Sequence, residues 1–108
     1  MKMFLTIIGL FISTLCFSQI QVIQFNANWN NANSVNWLNK LSDCKTGEVD
    51  IVTDKAAQAK YKIIVVPTII VFNQGEEVKR YQANIMMQID AKLEDIQTVV
   101  DETVMESF

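Results

Sequence analysis

Short apolar runs along the chain predict a β-sheet. Segment 20–25 (IQVIQF) carries apolar residues on both alternating faces, as does a strand that is covered on both sides. A second run over 48–52 and a stronger one over 68–72 predict two further strands. The turn signal Asn-Gln-Gly ending at Gly75 then leads into 77–81, so the third and fourth strands form a hairpin.

Apolar residues spaced three and four apart predict three helices between these strands. The first covers 34–41 and is followed by a turn at Gly47. Its N-cap is expected among three asparagines: Asn30, Asn31 and Asn33. The second begins after Asp54, which caps it. The apolar face of the third comprises Ile85, Ile89, Leu93, Ile96 and Val100. The order β-α-β-α-β-β-α predicts one α/β domain with a mixed sheet of about four strands flanked by helices, the first two strands being parallel.

The N-terminus has the pattern of a secretory signal peptide. Residues 1–18 begin with one basic side chain and continue as an apolar run. Cys16 and Ser18 are small residues at positions −3 and −1 of a cleavage site before Gln19. We therefore expect a signal peptide over 1–18 and one exported domain over 19–108, in the periplasm or outside the cell.

Two other interpretations of this leader stay open. A membrane anchor is one, although the apolar run is shorter than the roughly 20 residues of a spanning helix. A lipoprotein signal with Cys16 as the lipidated residue is the other, although Leu15 is bulky where that signal has a small residue.

Charge and composition exclude several kinds of function. The chain has 9 basic and 12 acidic residues, and loss of Lys2 with the leader gives 8 against 12, a net charge of −4. Such a domain attracts neither nucleic acid nor anionic lipid, and no stable membrane insertion is expected after leader removal. The chain has no histidine, which excludes His-based zinc sites and triads. The sequence indicates no cofactor and no metal.

Cysteine content restricts the redox chemistry. Cys44 is the sole cysteine of 19–108, so the domain has no internal disulfide. It follows Asn33 by eleven residues, near the far end of the predicted first helix, and cannot resolve a disulfide in the turn. A passive buried thiol and a reactive or intermolecular thiol are both open for Cys44.

Two stretches of the sequence resemble the thioredoxin family. Segment 22–33 (VIQFNANWNNAN) resembles the family's strand and W-C-x-x-C turn. Segment 61–76 (YKIIVVPTIIVFNQGE) resembles its Y-x-I-x-x-x-P-T strand and F-x-x-G-E hairpin. The resemblance covers nearly all of 19–108 and implies a thioredoxin-like fold, with a cis peptide bond before Pro67.

The departures from that family fall where its chemistry takes place. Asn30 and Asn33 stand at the two cysteine positions, and an amide cannot replace a thiolate nucleophile. Gln24 stands where redox-active members often have a buried acid, and Ala83 where a glycine usually follows the hairpin. Dithiol oxidoreductase activity is therefore not expected.

The resemblance implies a binding role without redox chemistry. The ligand expected is a protein or an extended peptide, in a groove formed by Trp29, Asn30, Asn33, Val66, Pro67 and Thr68. We expect Trp29 to lie half exposed and Trp37 to pack on the sheet. Three alternatives remain: the asparagines only form a solvated turn, Cys44 supports a monothiol or mixed-disulfide reaction, or the domain is a degenerate scaffold without a ligand.

Overall fold

The computed structural model describes residues 19–106, so the predicted leader lies outside the described residues. One sheet has the strand order β2-β1-β3-β4. Its strands are β1 (Ile20–Asn26), β2 (Lys45–Asp50), β3 (Thr68–Asn73) and β4 (Glu76–Gln82). The α-helices are α1 (Lys55–Tyr61) and α2 (Leu93–Glu106). β1 pairs in parallel with β2 and antiparallel with β3, and β4 is antiparallel to β3.

Alternating residues of β3 contribute to two hydrophobic clusters. Ile69 and Val71 pack with Ile96 of α2 on one face. Ile70 and Phe72 belong to the cluster on the α1 face. Because successive strand residues point to opposite faces, a strand that is apolar throughout must be covered on both sides. The prediction of a mixed four-stranded sheet flanked by helices is confirmed.

Two local predictions are confirmed by their backbone geometry. The Asp54 carboxylate accepts a hydrogen bond from the Ala57 N–H at 3.0 Å and caps α1. Gln74 and Gly75 have φ of 54° and 85° and join β3 to β4. Two successive positive φ values are those of a two-residue hairpin turn, which the glycine favours.

The predicted helix over 34–41 is wrong. The chain instead forms two short 3₁₀ segments, Asn28–Asn33 and Leu38–Lys40, and neither has a side-chain N-cap hydrogen bond. Asparagine occurs seven times between positions 26 and 39. Its side chain competes for backbone hydrogen bonds and disfavours a continuous helix. The predicted capping role of the asparagines is therefore also wrong.

The second strand lies earlier than predicted. β2 begins at Lys45 and includes Gly47, so the expected turn at this glycine is wrong. The strand ends at Asp50 because the Asp50 carboxylate accepts a hydrogen bond from the Val52 N–H at 2.9 Å. Its carbonyl also accepts one from the Asp54 N–H at 2.9 Å, which turns the chain toward α1.

The C-terminal helix starts at Leu93. The prediction that Ile85 and Ile89 lie on its apolar face is therefore wrong. The Asn84 side-chain oxygen accepts hydrogen bonds from the N–H groups of Met86 and Gln88, at 2.8 and 3.2 Å. These bonds form a loop in place of a first helical turn. Ile85 is 99% exposed there.

Candidate functional site

The candidate site begins where β1 ends in the first 3₁₀ segment. This segment covers Asn28–Asn33 and is kinked at Asn30, whose φ and ψ are −111° and 18°. Side chains three residues apart in a 3₁₀ helix lie over one another. Asn30 and Asn33 are therefore neighbours, and the Asn33 Nδ2 donates to the Asn30 Oδ1 at 2.8 Å.

Asn30 connects the turn to the chain before β3. Its side chain is buried, and its Nδ2 donates to the Asn26 Oδ1 at 3.2 Å and to the Val66 carbonyl at 3.3 Å. One neutral side chain thus satisfies two buried acceptors and also accepts a bond from Asn33. A buried polar group is tolerated when it is hydrogen-bonded in this way.

The amide network extends beyond the two predicted asparagines. The Asn26 Nδ2 donates to the Asn30 carbonyl at 3.1 Å and to the Ser34 Oγ at 2.7 Å. At the other end, the Gln88 Nε2 donates to the Asn33 Oδ1 at 3.5 Å. The network, which comprises Asn26, Asn30, Asn33 and Gln88, links the end of β1, the turn and the loop after β4.

Gln24 supports the turn from the interior of the sheet. It is 1% exposed, and its Oε1 accepts a hydrogen bond from the Val35 N–H at 2.9 Å. Its Nε2 donates to the Val35 carbonyl at 3.3 Å and to the Glu48 Oε1 at 3.0 Å. A neutral amide fulfils this double role without the desolvation cost of a charge.

The segment 65–68 forms the other side of the site. The Val66–Pro67 peptide bond is cis. The Pro67 carbonyl accepts a hydrogen bond from the Ala83 N–H at 3.1 Å, and the Thr68 Oγ1 donates to the Val65 carbonyl at 2.7 Å. Pro67 and Thr68 are both fully buried, so these residues hold the segment in place and offer little side-chain surface of their own.

Exposed apolar side chains occur in each of the segments that form the site. Within residues 19–106, nine large apolar side chains are exposed, and six of them lie within three residues of Asn30, Val66 or Gln88 in the sequence. We call these six the apolar rim: Trp29, Ile64, Val65, Ile85, Met86 and Met87. Trp29 is 64% exposed. Trp37, in contrast, packs against the core as predicted.

The structure brings most of the predicted site residues together and adds others. Asn30 contacts both Asn33 and Val66 directly, while Trp29 precedes Asn30 at the surface. Asn26 and Gln88, and the loop residues of the rim, were not predicted. The seven asparagines in 26–39 were the one signal that could have indicated a side-chain network.

Cys44 lies away from these residues. It directly precedes β2, whose pairing places Lys45 beside Gln21 and Asp50 beside Asn26. Five residue steps along a strand are about 17 Å. Cys44 is half-buried, and burial, followed by the charges of Asp43 and Asp101, raises the pKa of its thiol. A raised pKa reduces the thiolate fraction at neutral pH.

Among residues 19–106, no group of three or more His, Cys, Asp or Glu side chains could hold a metal ion. In the same part of the chain, no helix has the length and apolar character needed to cross a membrane.

Comparison with solved structures identifies the class of fold. A thioredoxin mutant (N21Q) from Halobacterium salinarum superposes with a TM-score of 0.60 at 19% identity, covering 79% of this chain and 74% of that protein. A Fasciola hepatica thioredoxin gives 0.58 at 22% identity, over 83% and 86% of the two chains. A designed protein gives 0.60 at 22% identity, over 85% and 87%.

These similarities establish a thioredoxin-like fold, as the sequence predicted. No protein-family model matches the sequence, and no curated protein matches it.

Proposed function

We propose that this is an exported thioredoxin-like protein that binds an extended peptide segment of another protein and carries out no dithiol chemistry. The observation that carries the proposal is the amide network. At the turn where the resemblance places two cysteines, Asn30 and Asn33 bond to each other and Asn30 bonds to Val66. The scaffold is kept, and amides stand at the positions where the family has its reactive thiols.

The absence of thiol exchange follows from chemistry. A disulfide forms and breaks through a thiolate, and an amide has no such nucleophile. Cys44 does not substitute for one, because it lies at the far end of the β1–β2 pair and its thiol pKa is raised. A monothiol reaction has the opposite requirement, an accessible thiol of lowered pKa.

Binding is supported by the apolar rim. Ile64 is 79% exposed and lies two residues before Val66, and Met86 is 67% exposed in the loop that Gln88 links to Asn33. Exposed apolar patches on a small domain mark interaction surfaces more often than chance. Methionine side chains are flexible and adapt to different apolar partners.

We propose an extended peptide as the ligand because the Val66 backbone retains hydrogen-bonding capacity, although the residue itself is 7% exposed. Within residues 19–106, the Val66 N–H makes no hydrogen bond. Its carbonyl accepts one bond from Asn30 and retains a second lone pair. A peptide in extended conformation pairs with backbone donors and acceptors of this kind. Asn30 would fix the direction of the Val66 carbonyl.

The binding proposal is tested with a cysteine-free peptide of alternating valine and serine, ten residues long and blocked at both ends. An NMR titration of protein obtained by expressing the full chain follows the Trp29 indole N–H signal. We expect saturable shifts at Trp29 and at the backbone N–H of Val66. Absence of shifts at millimolar peptide would favour the degenerate scaffold over a binding protein.

Two methionine variants give a matched control. Met86→Ser removes an apolar side chain from the rim, whereas Met105→Ser removes one that is 74% exposed near the end of α2. Met105 lies twelve residues beyond Leu93, about 18 Å along the helix. We expect Met86→Ser alone to weaken binding, by about three- to tenfold. Equal effects of the two variants would exclude the rim as the binding surface.

Export is a separate part of the proposal and has its own test. The leader pattern of 1–18 supports cleavage before Gln19. Mass spectrometry of protein released from the periplasm by osmotic shock should give a chain that starts at Gln19. Recovery of the intact chain only from membranes would support the anchor instead.

A further inference from the structure

Strand β2 lies at an edge of the sheet. Within residues 19–106, it pairs with β1 on one side and with no strand on the other. An edge strand directs the N–H and C=O groups of alternate residues outward, so β2 (Lys45–Asp50) offers those of about three residues. These groups are donors and acceptors for an added strand.

The middle of this edge can be approached closely. Gly47 has no side chain, and the position that a Cβ would occupy has no atom within 4 Å. β2 also contains no proline. Of the devices that protect natural sheet edges, the strand has charged side chains at Lys45, Glu48 and Asp50, but its pairing with β1 contains no bulge.

Open cavities flank β2 on both faces of the sheet. One of about 520 Å³ lies between β2 and the 3₁₀ segments, where Leu38 belongs to the core on the α2 face. A smaller one of about 170 Å³ lies beside Ile23, which packs on the α1 face. Thr46 and Gly47 line both cavities. Because the side chains of a strand alternate between faces, an added strand would place them in both cavities in turn.

The larger cavity is lined by polar groups and one carboxylate beside the apolar Val35 and Leu38. Asn36 and Asn39 line it, and within residues 19–106 their amides make no hydrogen bond. Glu48 is the one charged residue of its lining. The Glu48 carboxylate accepts one hydrogen bond, from Gln24, and remains exposed. Amides both donate and accept, while the carboxylate attracts a cation.

We propose that the outer edge of β2 is a second protein-binding site, which takes an extended segment of a partner protein as a fifth strand. The side chains that the segment directs into the larger cavity are polar or basic. This site lies on the other side of β1 from β3 and Pro67, so it is separate from the groove of the proposed function. Either site can fail without the other.

The test is an NMR titration of ¹⁵N-labelled protein from the full chain with three peptides. The first is an eight-residue peptide of alternating threonine and lysine, the second has glutamate for lysine, and the third is the first with alternate backbone nitrogens methylated. We expect saturable shifts of the backbone N–H signals of 45–50 with the first peptide. Binding should be at least about tenfold weaker with the other two, because charge or backbone pairing is lost.

Two variants that each remove one negative charge supply the control. Glu48→Gln retains the acceptor for Gln24 and removes the charge from the cavity, whereas Glu76→Gln removes one exposed charge from β4. We expect Glu48→Gln to weaken the binding of the lysine peptide about two- to fivefold. Glu76→Gln should leave the affinity for this peptide unchanged.

Four outcomes would overturn the proposal. They are the absence of shifts in 45–50 at millimolar lysine peptide, equal binding of the methylated peptide, equal effects of the two glutamate variants, and slow hydrogen exchange at every N–H of β2 in monomeric protein without peptide. The last outcome would mean that the chain already covers this edge itself.

Discussion

Replacing Asn30 by alanine removes the side chain that joins the turn to the chain before β3. Three side-chain hydrogen bonds are lost: to the Asn26 Oδ1 and the Val66 carbonyl as donor, and from the Asn33 Nδ2 as acceptor. Asn30 itself is buried, with 5% of its surface exposed. Alanine therefore leaves two buried acceptors and one half-buried donor without these partners.

The expected loss of stability follows from those three bonds. A net contribution of about 1 kcal/mol for each gives roughly 3 kcal/mol, and buried groups left without partners raise the cost. Water that enters beside the half-buried Asn33 lowers it. We expect the free energy of unfolding to fall by about 2–4 kcal/mol.

Urea denaturation followed by circular dichroism measures this change. Asn39→Ala is the matched control, because the Asn39 side chain is exposed and makes no hydrogen bond within residues 19–106. It should change the free energy of unfolding by less than about 0.5 kcal/mol. A loss below that figure for Asn30→Ala as well would refute the structural role given to the network.

Asn30→Asp adds a pH dependence with a defined sign. An aspartate oxygen would face the Asn26 Oδ1 and the Val66 carbonyl in place of a donor. Burial and these acceptors favour the protonated acid, so its pKa in the folded protein is raised above the unfolded value of about 3.9. The destabilisation relative to wild type should therefore be smaller at pH 4 than at pH 7. No difference between the two pH values would contradict the assigned geometry.

Three further predictions concern Asp54, Arg80 and Cys44. Asp54→Ala should destabilise by about 1 kcal/mol through loss of the α1 N-cap, and Asp54→Asn by less, in urea denaturation. Arg80→Leu should cost about 1–2 kcal/mol in the same assay, because Arg80 donates to the Tyr61 and Lys62 carbonyls at 2.7 and 3.1 Å. An unchanged midpoint in either case would contradict that contact. Cys44 should react with a thiol reagent at neutral pH more slowly in native than in urea-unfolded protein, and equal rates would contradict its burial and raised pKa.

Local signals in the sequence predicted the parts of the fold that local chemistry determines. The hairpin was predictable because Gly75 permits the positive φ of the turn, and α1 because Asp54 caps it. The absence of a helix over 34–41 was not predicted, because apolar spacing takes no account of asparagine side chains that compete for backbone hydrogen bonds. A side chain outside the segment also competes, since the Val35 N–H and carbonyl both bond to the side chain of Gln24 in β1.

The location of the candidate site was predictable only through the resemblance, and its contacts were not. Asn30 and Val66 are 36 residues apart, and Gln88 is 55 residues from Asn33. A side-chain hydrogen bond over such separations depends on how the whole sheet is assembled. The apolar rim was missed for a related reason. Ile85 has helical spacing with Ile89, yet Asn84 holds the segment in a loop.

The central claim is that an amide turn on a thioredoxin-like scaffold binds without exchanging thiols. The most direct measurement is insulin reduction, with dithiothreitol as electron source, by purified protein and by its Cys44→Ser variant. We predict that both proteins leave the uncatalysed rate unchanged. Turnover by the wild-type protein above that of Cys44→Ser would contradict the claim.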